Sequence, residues 1–423
     1  MIELECDVLV IGAGVLGMSS GYHIKKGNPD KRVVLIEKNS SPALGNTRKS
    51  EGGYRNVFTS KVNRALSDST IDWFLHLSKD PKTDIGIEPI GYLWLLSQEQ
   101  IHTYRDIVNE LEKQEALRVL DFKSLREAMP FLETEPKNQY GFPKVSHALY
   151  APKCGSVAPR KLVSVYEDLF KQGGGEIRYS VEAKNLILKP ENPLGIDGEP
   201  MVWQDKVFRG ADTSIGVIKA DTTVVACGAW SGELLHPVGL DSFMRPKKRQ
   251  IFVFKDDSLK PFFNDFDLND VKAAPLTILP VAGAYFKPAV KLGAVWVGCA
   301  DDIGREFRLE DEPKPEPEYY ENDVKPVISS YFPSLGRLDP VGMWAGQYSI
   351  NSLDNTPVVE KTEGLIYVGA ASGSGIMKSD SLGRVVQALY SDERQAELFN
   401  GEKIDCSALG IRNRKVLPEK FVI

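Results

Sequence analysis

Gly12, Gly14 and Gly17 are spaced as Gly-x-Gly-x-x-Gly directly after the apolar run Val8-Leu9-Val10-Ile11, and a second run, Val33-Val34-Leu35-Ile36, ends in Glu37. Strand, tight turn, helix, strand and acid in this order make a βαβ unit able to cradle a dinucleotide. Gly12 permits the turn, Gly14 lets the backbone approach a pyrophosphate, and Gly17 lets helix and strand pack closely. The turn residues Ala13, Val15 and Leu16 bring the unpaired N–H groups of a helix start toward the anion. Glu37, with Lys38 beside it, is placed to accept hydrogen bonds from a ribose. The plain alternative is a glycine-rich turn in an ordinary α/β protein, which would not call for an acid at the tip of the second strand.

A second glycine cluster lies near the other end of the chain. Leu365-Ile-Tyr-Val368 leads into Gly373-Ser374-Gly375-Ile376-Met377-Lys378, and helical periodicity follows over 381–390. Between the two clusters, residues 39–53 form a polar loop suited to lie along a cofactor, before a helical stretch over 59–79. An amphipathic pattern with an early Pro159 predicts a helix over 156–171. Alternation at Ile177, Tyr179 and Val181 predicts a strand, and Thr222 to Ala226 predicts another that runs into the turn Cys227-Gly228-Ala-Trp230. Apolar blocks at 90–96, 249–254, 276–286 and 294–299 suit a second, mainly antiparallel sheet. The acidic, proline-bearing stretch 310–326 reads as a solvated surface loop.

Composition narrows the function classes. In 423 residues, 42% are hydrophobic and 26% charged, the balance of an ordinary globular protein. A net charge of −6 argues against a general affinity for nucleic acid or anionic membrane. The five cysteines are scattered, so neither a disulfide framework nor a zinc site is indicated, and a reducing cytoplasm is expected. The five histidines lack ligand spacing, and no metal is expected. No run approaches the ~20 residues of a membrane span, which leaves peripheral contact at the inner face of a membrane open. Gly17-Met-Ser19-Ser-Gly21 fits a hydrolase pattern, but it lies inside the first helix where no exposed elbow can form.

Taken together, the first βαβ unit, the loop with Thr47, Arg48 and Ser50, the Val224-Val-Ala226-Cys227-Gly228-Ala-Trp230-Ser231 turn and the Gly373–Lys378 block resemble the FAD-dependent oxidoreductases of the D-amino-acid oxidase, glycine oxidase and sarcosine oxidase type. Within that family the chain looks most like the archaeal dye-linked L-proline dehydrogenases, through Gly198-Glu-Pro-Met-Val-Trp203-Gln, Arg245-Pro-Lys-Lys-Arg249, Trp344-Ala-Gly-Gln-Tyr348 and Gly373-Ser-Gly-Ile-Met-Lys-Ser-Asp380. The resemblance implies an α/β fold. In it, a Rossmann-like, glutathione-reductase-type FAD-binding domain, in pieces 1–85, 150–235 and 340–423, interleaves with an α+β substrate domain at 86–149 and 236–339.

It also implies roles. Gly12, Gly14, Gly17 and Glu37 would hold the ADP half of FAD, with Val181 meeting the adenine through its backbone. Thr47, Arg48 and Ser50 would run beside the flavin ring, and the turn 373–378 would aim N–H groups at the flavin N1 and C2 carbonyl. In sarcosine oxidases a flavin-linking cysteine stands where this chain has Gly346, so FAD is expected to bind here without a covalent link. The implied reaction is oxidation of a secondary amino acid, L-proline first, to the imine, with electrons passing to a dye, quinone or carrier protein.

For the substrate, Arg55 is the expected carboxylate partner. Its alternative is pairing with an acid of the scaffold. Lys378 and Lys287 are weaker candidates, Met377 reads as an apolar wall, and Tyr285 and Tyr348 are expected to close the pocket. The basic cluster at 245–249 reads as a structural or domain-joining segment. Rival readings are an oxidase or dehydrogenase for sarcosine, glycine or a D-amino acid, and a flavoprotein subunit whose FAD is structural. The tail 410–423, mixed basic and apolar, is expected to pack over the flavin or contact a carrier.

Overall fold

The structure is a computed structural model describing residues 2–136, 139–301 and 303–419. Its first sheet is built on four parallel pairings that link, in order, Leu365–Gly369, Gly216–Val225, Ile2–Ile11, Val33–Glu37 and Glu176–Tyr179. Val358–Thr362 closes one edge in antiparallel fashion, and Ala183–Pro190 and Lys206–Thr213 extend the sheet beside Gly216–Val225.

The near-continuous apolar runs of the sequence follow from burial on both faces. Val8, Val10, Val33 and Leu35 pack among Met18 and Ile24 of the helix Val15–Gly27, Phe170 of Pro159–Gln172 and Leu382 of Ser379–Tyr390. The intervening Leu9, Ile11, Val34 and Ile36 turn to the opposite face, among Phe208, Leu234 and Leu235. This two-residue alternation fixes register, and with it the position of the Gly12 turn at the carboxyl end of the sheet.

The second sheet runs Gly342–Asn351, Met244–Phe254, Ala294–Cys299, Ala284–Ala289, Leu276–Ile278, Tyr92–Leu96, His147–Ala151 and Arg118–Leu120. All its pairings are antiparallel except that between Leu276–Ile278 and Tyr92–Leu96. One face buries Phe252, Phe286 and Val297 under Ile328 and Tyr331 of the helix Lys325–Tyr331. The other carries Tyr92, Ile251, Tyr285 and Trp344, the last three of which reach the cavity described below.

Three sequence expectations change. The strand Gly342–Asn351 belongs to the second sheet, so the chain returns to the first sheet after residue 351 rather than at 340. The stretch 310–326 is a surface loop only in part. Helical turns begin at Pro317, where Tyr319, Tyr320 and Val324 are buried, because their apolar spacing finds the second sheet. The tail does not lie on the cavity wall in its described part. Arg414 makes a buried two-point pair with Asp354, and Glu419 accepts hydrogen bonds from Thr59 and Ser60 at the head of the helix Lys61–Leu77. Residues 420–423 lie outside the described residues.

Candidate flavin and substrate site

Gly12 sits at φ 106°, and a Cβ there would stand 2.7 Å from the Ala226 carbonyl oxygen. A Cβ on Gly17 would run into the Gly12 carbonyl, so both positions admit only glycine. Gly14 precedes the helix Val15–Gly27, whose Val15 N–H donates to the Thr47 hydroxyl at 3.2 Å. Glu37 is held on both oxygens: Ala13 N–H donates to Oε2 at 2.8 Å, and Asn39 donates to Oε1 from its backbone and side chain. The Val181 N–H donates to the Glu37 carbonyl at 2.9 Å, which ties that backbone to the acid.

These residues open onto a cavity of about 950 Å³ that runs from Gly12, Gly14 and Glu37 to Tyr285, Tyr348 and the turn at Gly373, Gly375 and Ile376. Val15, Leu16, Lys38, Thr47, Arg48 and Ser50 also line it. So do Val181, Ala226, Cys227, Gly228, Trp230 and Gly346. The Cys227 thiol faces the Ile11 carbonyl, and burial pushes it up to about 12, which makes it a packing group. Over the dinucleotide end, Lys38 Nζ stands 4.6 Å from the Trp230 ring centroid, and the Trp230 indole donates to Asp311 at 2.7 Å. At Gly346 an added Cβ would stand 3.0 Å from that of Lys49.

Ala13, Gly17, Arg55, Ser374, Met377 and Lys378 stand behind the wall rather than on it. Arg55 is buried, its guanidinium donating to the Val57 carbonyl and lying 4.1 Å from the Phe58 ring centroid. The pairing of Gly53–Tyr54 with Gly155–Ser156, and a bond from the Ser67 hydroxyl to the Arg55 carbonyl, fix this course. Lys378 donates to Asn63 at 2.8 Å and Ser374 at 2.7 Å, and burial pushes its pKa well below the usual lysine range. The Ser374 hydroxyl in turn donates to the Ala371 carbonyl, bracing the turn from behind.

Among the charged residues on the wall that the sequence did not single out, Glu51 and Arg249 stand near Tyr285 and Tyr348. Glu51 Oε2 is buried without a hydrogen-bond partner among the described residues. Burial pushes this carboxyl up to about 7, although Lys287 and Tyr285 pull the other way. Lys287 Nζ donates to the Glu51 carbonyl at 2.6 Å and lies 4.2 Å from the Trp296 ring centroid, and burial lowers it to about 8. Burial also raises Tyr348 to about 12 and Tyr285 well above its usual value, so both stay neutral hydrogen-bonding groups near pH 7. Neither charged residue carries a motif signal: Glu51 reads as one more polar loop residue, and Arg249 as the end of a basic cluster.

The wall fits a flavin dinucleotide. Gly12 and Gly17 leave no room for side chains at the turn, the acid stands at the second strand tip, and the far turn places the Gly373 backbone beside Tyr348. Among the described residues no group of three histidine, cysteine or acidic side chains is arranged to hold a metal, and no helix is long and apolar enough to cross a membrane.

Comparison with known proteins agrees. The family model for DAO, FAD dependent oxidoreductase, matches residues 7–389. FAD-dependent oxidoreductase domain-containing protein 1 of Bos taurus is 24% identical over 90% of this chain and 80% of its own. A monomeric sarcosine oxidase of a Bacillus species is 21% identical over 90% of this chain and 91% of its own. Among solved structures, L-proline dehydrogenase from P. horikoshii superposes with a TM-score of 0.75 at 20% identity, covering 92% of this chain and 94% of that one.

Proposed function

Because the chain belongs to the DAO family of FAD-dependent oxidoreductases, we propose that it oxidises a secondary amino acid, L-proline first, to the corresponding imine. For proline the product is 1-pyrroline-5-carboxylate. The observation that carries this reading is one continuous cavity joining the glycine cradle to a pocket walled by Tyr285 and Tyr348. Sarcosine and proline, for which two similar proteins are named, are both secondary amino acids, whereas the glycine oxidases among the similar proteins are named for a primary one and favour the rival substrate.

Bound FAD supplies a two-electron acceptor for the hydrogen on the carbon next to nitrogen. The protein must then hold that carbon beside the acceptor, let nitrogen lose its proton, and keep water out. The loop through Thr47, Arg48 and Ser50 and the turn at Gly373–Ile376 are assigned to the cofactor, the latter presenting backbone donors where negative charge would gather. Tyr285 and Tyr348 keep their protons and act as fixed hydrogen-bonding walls. Gly346 leaves no side chain to form a covalent link, so FAD is held non-covalently. Electrons would leave to a quinone, a dye or a carrier protein, and a cytoplasmic location, at the inner membrane face for a quinone, suits that traffic.

Anaerobic addition of L-proline to the flavin-loaded protein tests this, with loss of the oxidised flavin absorbance expected. Bleaching by sarcosine, glycine or a D-amino acid but not proline would move the protein to the rival substrate. Hydrogen peroxide release in air would make it an oxidase, and a flavin that no amine reduces would make the cofactor structural.

A further inference from the structure

The cavity wall carries two half-buried ionisable side chains of opposite sign, each with a buried atom that has no hydrogen-bond partner among the described residues: Oε2 of Glu51 and Nε of Arg249. Leaving such atoms unpaired costs free energy, which water or a ligand entering the cavity would recover. Lys287 donates to the backbone carbonyl of Glu51, and its charge together with the Tyr285 hydroxyl is what the protein itself offers the carboxyl.

Among the described residues Arg249 has one ion-pair partner, Asp301, at 3.4 Å from Nη1, and the same nitrogen lies 3.3 Å from the Lys248 carbonyl. Both are long for charge-assisted bonds, which run at about 2.7–2.9 Å. Pairing of Arg249 with Gly346 across the sheet lets the guanidinium pass over a residue without a side chain, and it comes to lie 5.3 Å from the Tyr348 ring centroid. The Tyr348 hydroxyl feels both charges, Glu51 raising its pKa and Arg249 lowering it.

We propose that Glu51 and Arg249 are the substrate-recognising pair, Arg249 taking the carboxylate of an amino acid and Glu51 taking its amine nitrogen together with the proton that nitrogen must lose. This rests on the amino-acid reading given above and replaces Arg55 as the carboxylate partner. In the proton step the N–H bond breaks, the Glu51 O–H bond forms, and the lone pair stays on nitrogen for the imine. A carboxyl poised near neutrality can both accept that proton and release it.

The test uses flavin-loaded protein and binding read from the shift of the oxidised flavin spectrum, without turnover. The probes are cyclopentanecarboxylate, which lacks nitrogen, and pyrrolidine, which lacks the carboxylate. Arg249→Met is expected to weaken cyclopentanecarboxylate about tenfold or more and pyrrolidine less than about twofold, with Arg249→Lys in between. Glu51→Gln is expected to do the reverse, and to flatten the dependence of pyrrolidine binding on pH between 6 and 8. Flavin content, read from the absorbance ratio, confirms that each variant is loaded. Equal weakening of both probes by either variant, or no weakening, overturns the pair. If the wild-type protein binds and oxidises another amino acid instead of proline, the proline reading fails while the same selectivity, measured with the deaminated and decarboxylated forms of that substrate, decides the pair. Binding of no amino acid by the wild type defeats both.

Discussion

The N–H of Ala13 donates to the Glu37 carboxylate at 2.8 Å, so the glycine turn and the tip of the second strand are joined by a charge-assisted bond. Asn39 occupies the other oxygen from two directions. Glu37 thus holds the cradle in shape as well as facing the cavity. Glu37→Gln keeps the size of the side chain but turns one of its two acceptors into a donor, setting it against Ala13 or Asn39. The expected loss of FAD affinity is about 2 kcal/mol, roughly thirtyfold in Kd. Titration of apoprotein with FAD, followed by flavin fluorescence, measures it, and an unchanged Kd would show that the bond does not shape the cradle.

Gly346 faces Lys49 closely enough that any side chain must displace the loop, and the Gln347 N–H donates to Asn46 of that same loop at 2.9 Å. Acid precipitation of the loaded protein should therefore leave all the flavin in the supernatant. Gly346→Cys is expected to cost about 1–3 kcal/mol of stability by overpacking. A thermal midpoint equal to that of the wild type, or flavin retained in the pellet, would contradict this.

The cradle was legible because its logic is local. Gly12 to Gly17 and Glu37 lie within one βαβ unit, and strand, turn and helix are each written in adjacent residues. Glu51 and Arg249 were illegible for the opposite reason. A charged residue in a polar loop or a basic cluster looks solvated, and it is the antiparallel pairing of Gly342–Asn351 with Met244–Phe254 that sets Arg249 opposite Gly346 at the wall. The surroundings of Arg55 were not legible either: its type suits a carboxylate, but backbone pairing at Gly53–Tyr54 brings its guanidinium to the Val57 carbonyl and the Phe58 ring. Interleaving of the two sheets was legible from scattered glycine turns, whereas the return point was not, since strand Gly342–Asn351 has no local mark of the sheet it joins.

Arg414 and Asp354 form a buried bidentate pair at 2.7 and 2.8 Å, and the same guanidinium donates to the carbonyls of Thr356, Pro357 and Leu409. Arg414→Met takes the cation from Asp354 and a donor from the Pro357 carbonyl, while the Thr356 and Leu409 carbonyls keep bonds from the Asn351 side chain and the Val359 N–H. Breaking one partner of such a pair typically costs about 3–5 kcal/mol, and the bond Asp354 retains from the Thr356 N–H places the expected loss near the lower end. Denaturant unfolding should report it, accompanied by faster proteolysis within 410–419. Stability unchanged within about 1 kcal/mol would mean that the tail is not anchored there.

Glu51 makes stability depend on pH in a defined sense. Its folded pKa, about 7, lies above the ordinary carboxyl value, so the folded protein binds more protons than the unfolded chain between roughly pH 4.5 and 7. Stability is therefore fully present below the unfolded pKa and is lost as pH rises through 7. Glu51→Gln removes that titration while keeping the side chain's shape. The variant should gain on the wild type by about 2 kcal/mol more at pH 8 than at pH 4.5, a figure discounted for partial exposure. Lys287, lowered to about 8, loses its contribution as pH falls from its ordinary range toward 8, above the window compared, so the comparison stops at pH 8. Parallel unfolding curves at both pH values would mean that Glu51 titrates as an ordinary solvated carboxylate, and would remove its capacity to exchange a proton with an amine near neutrality.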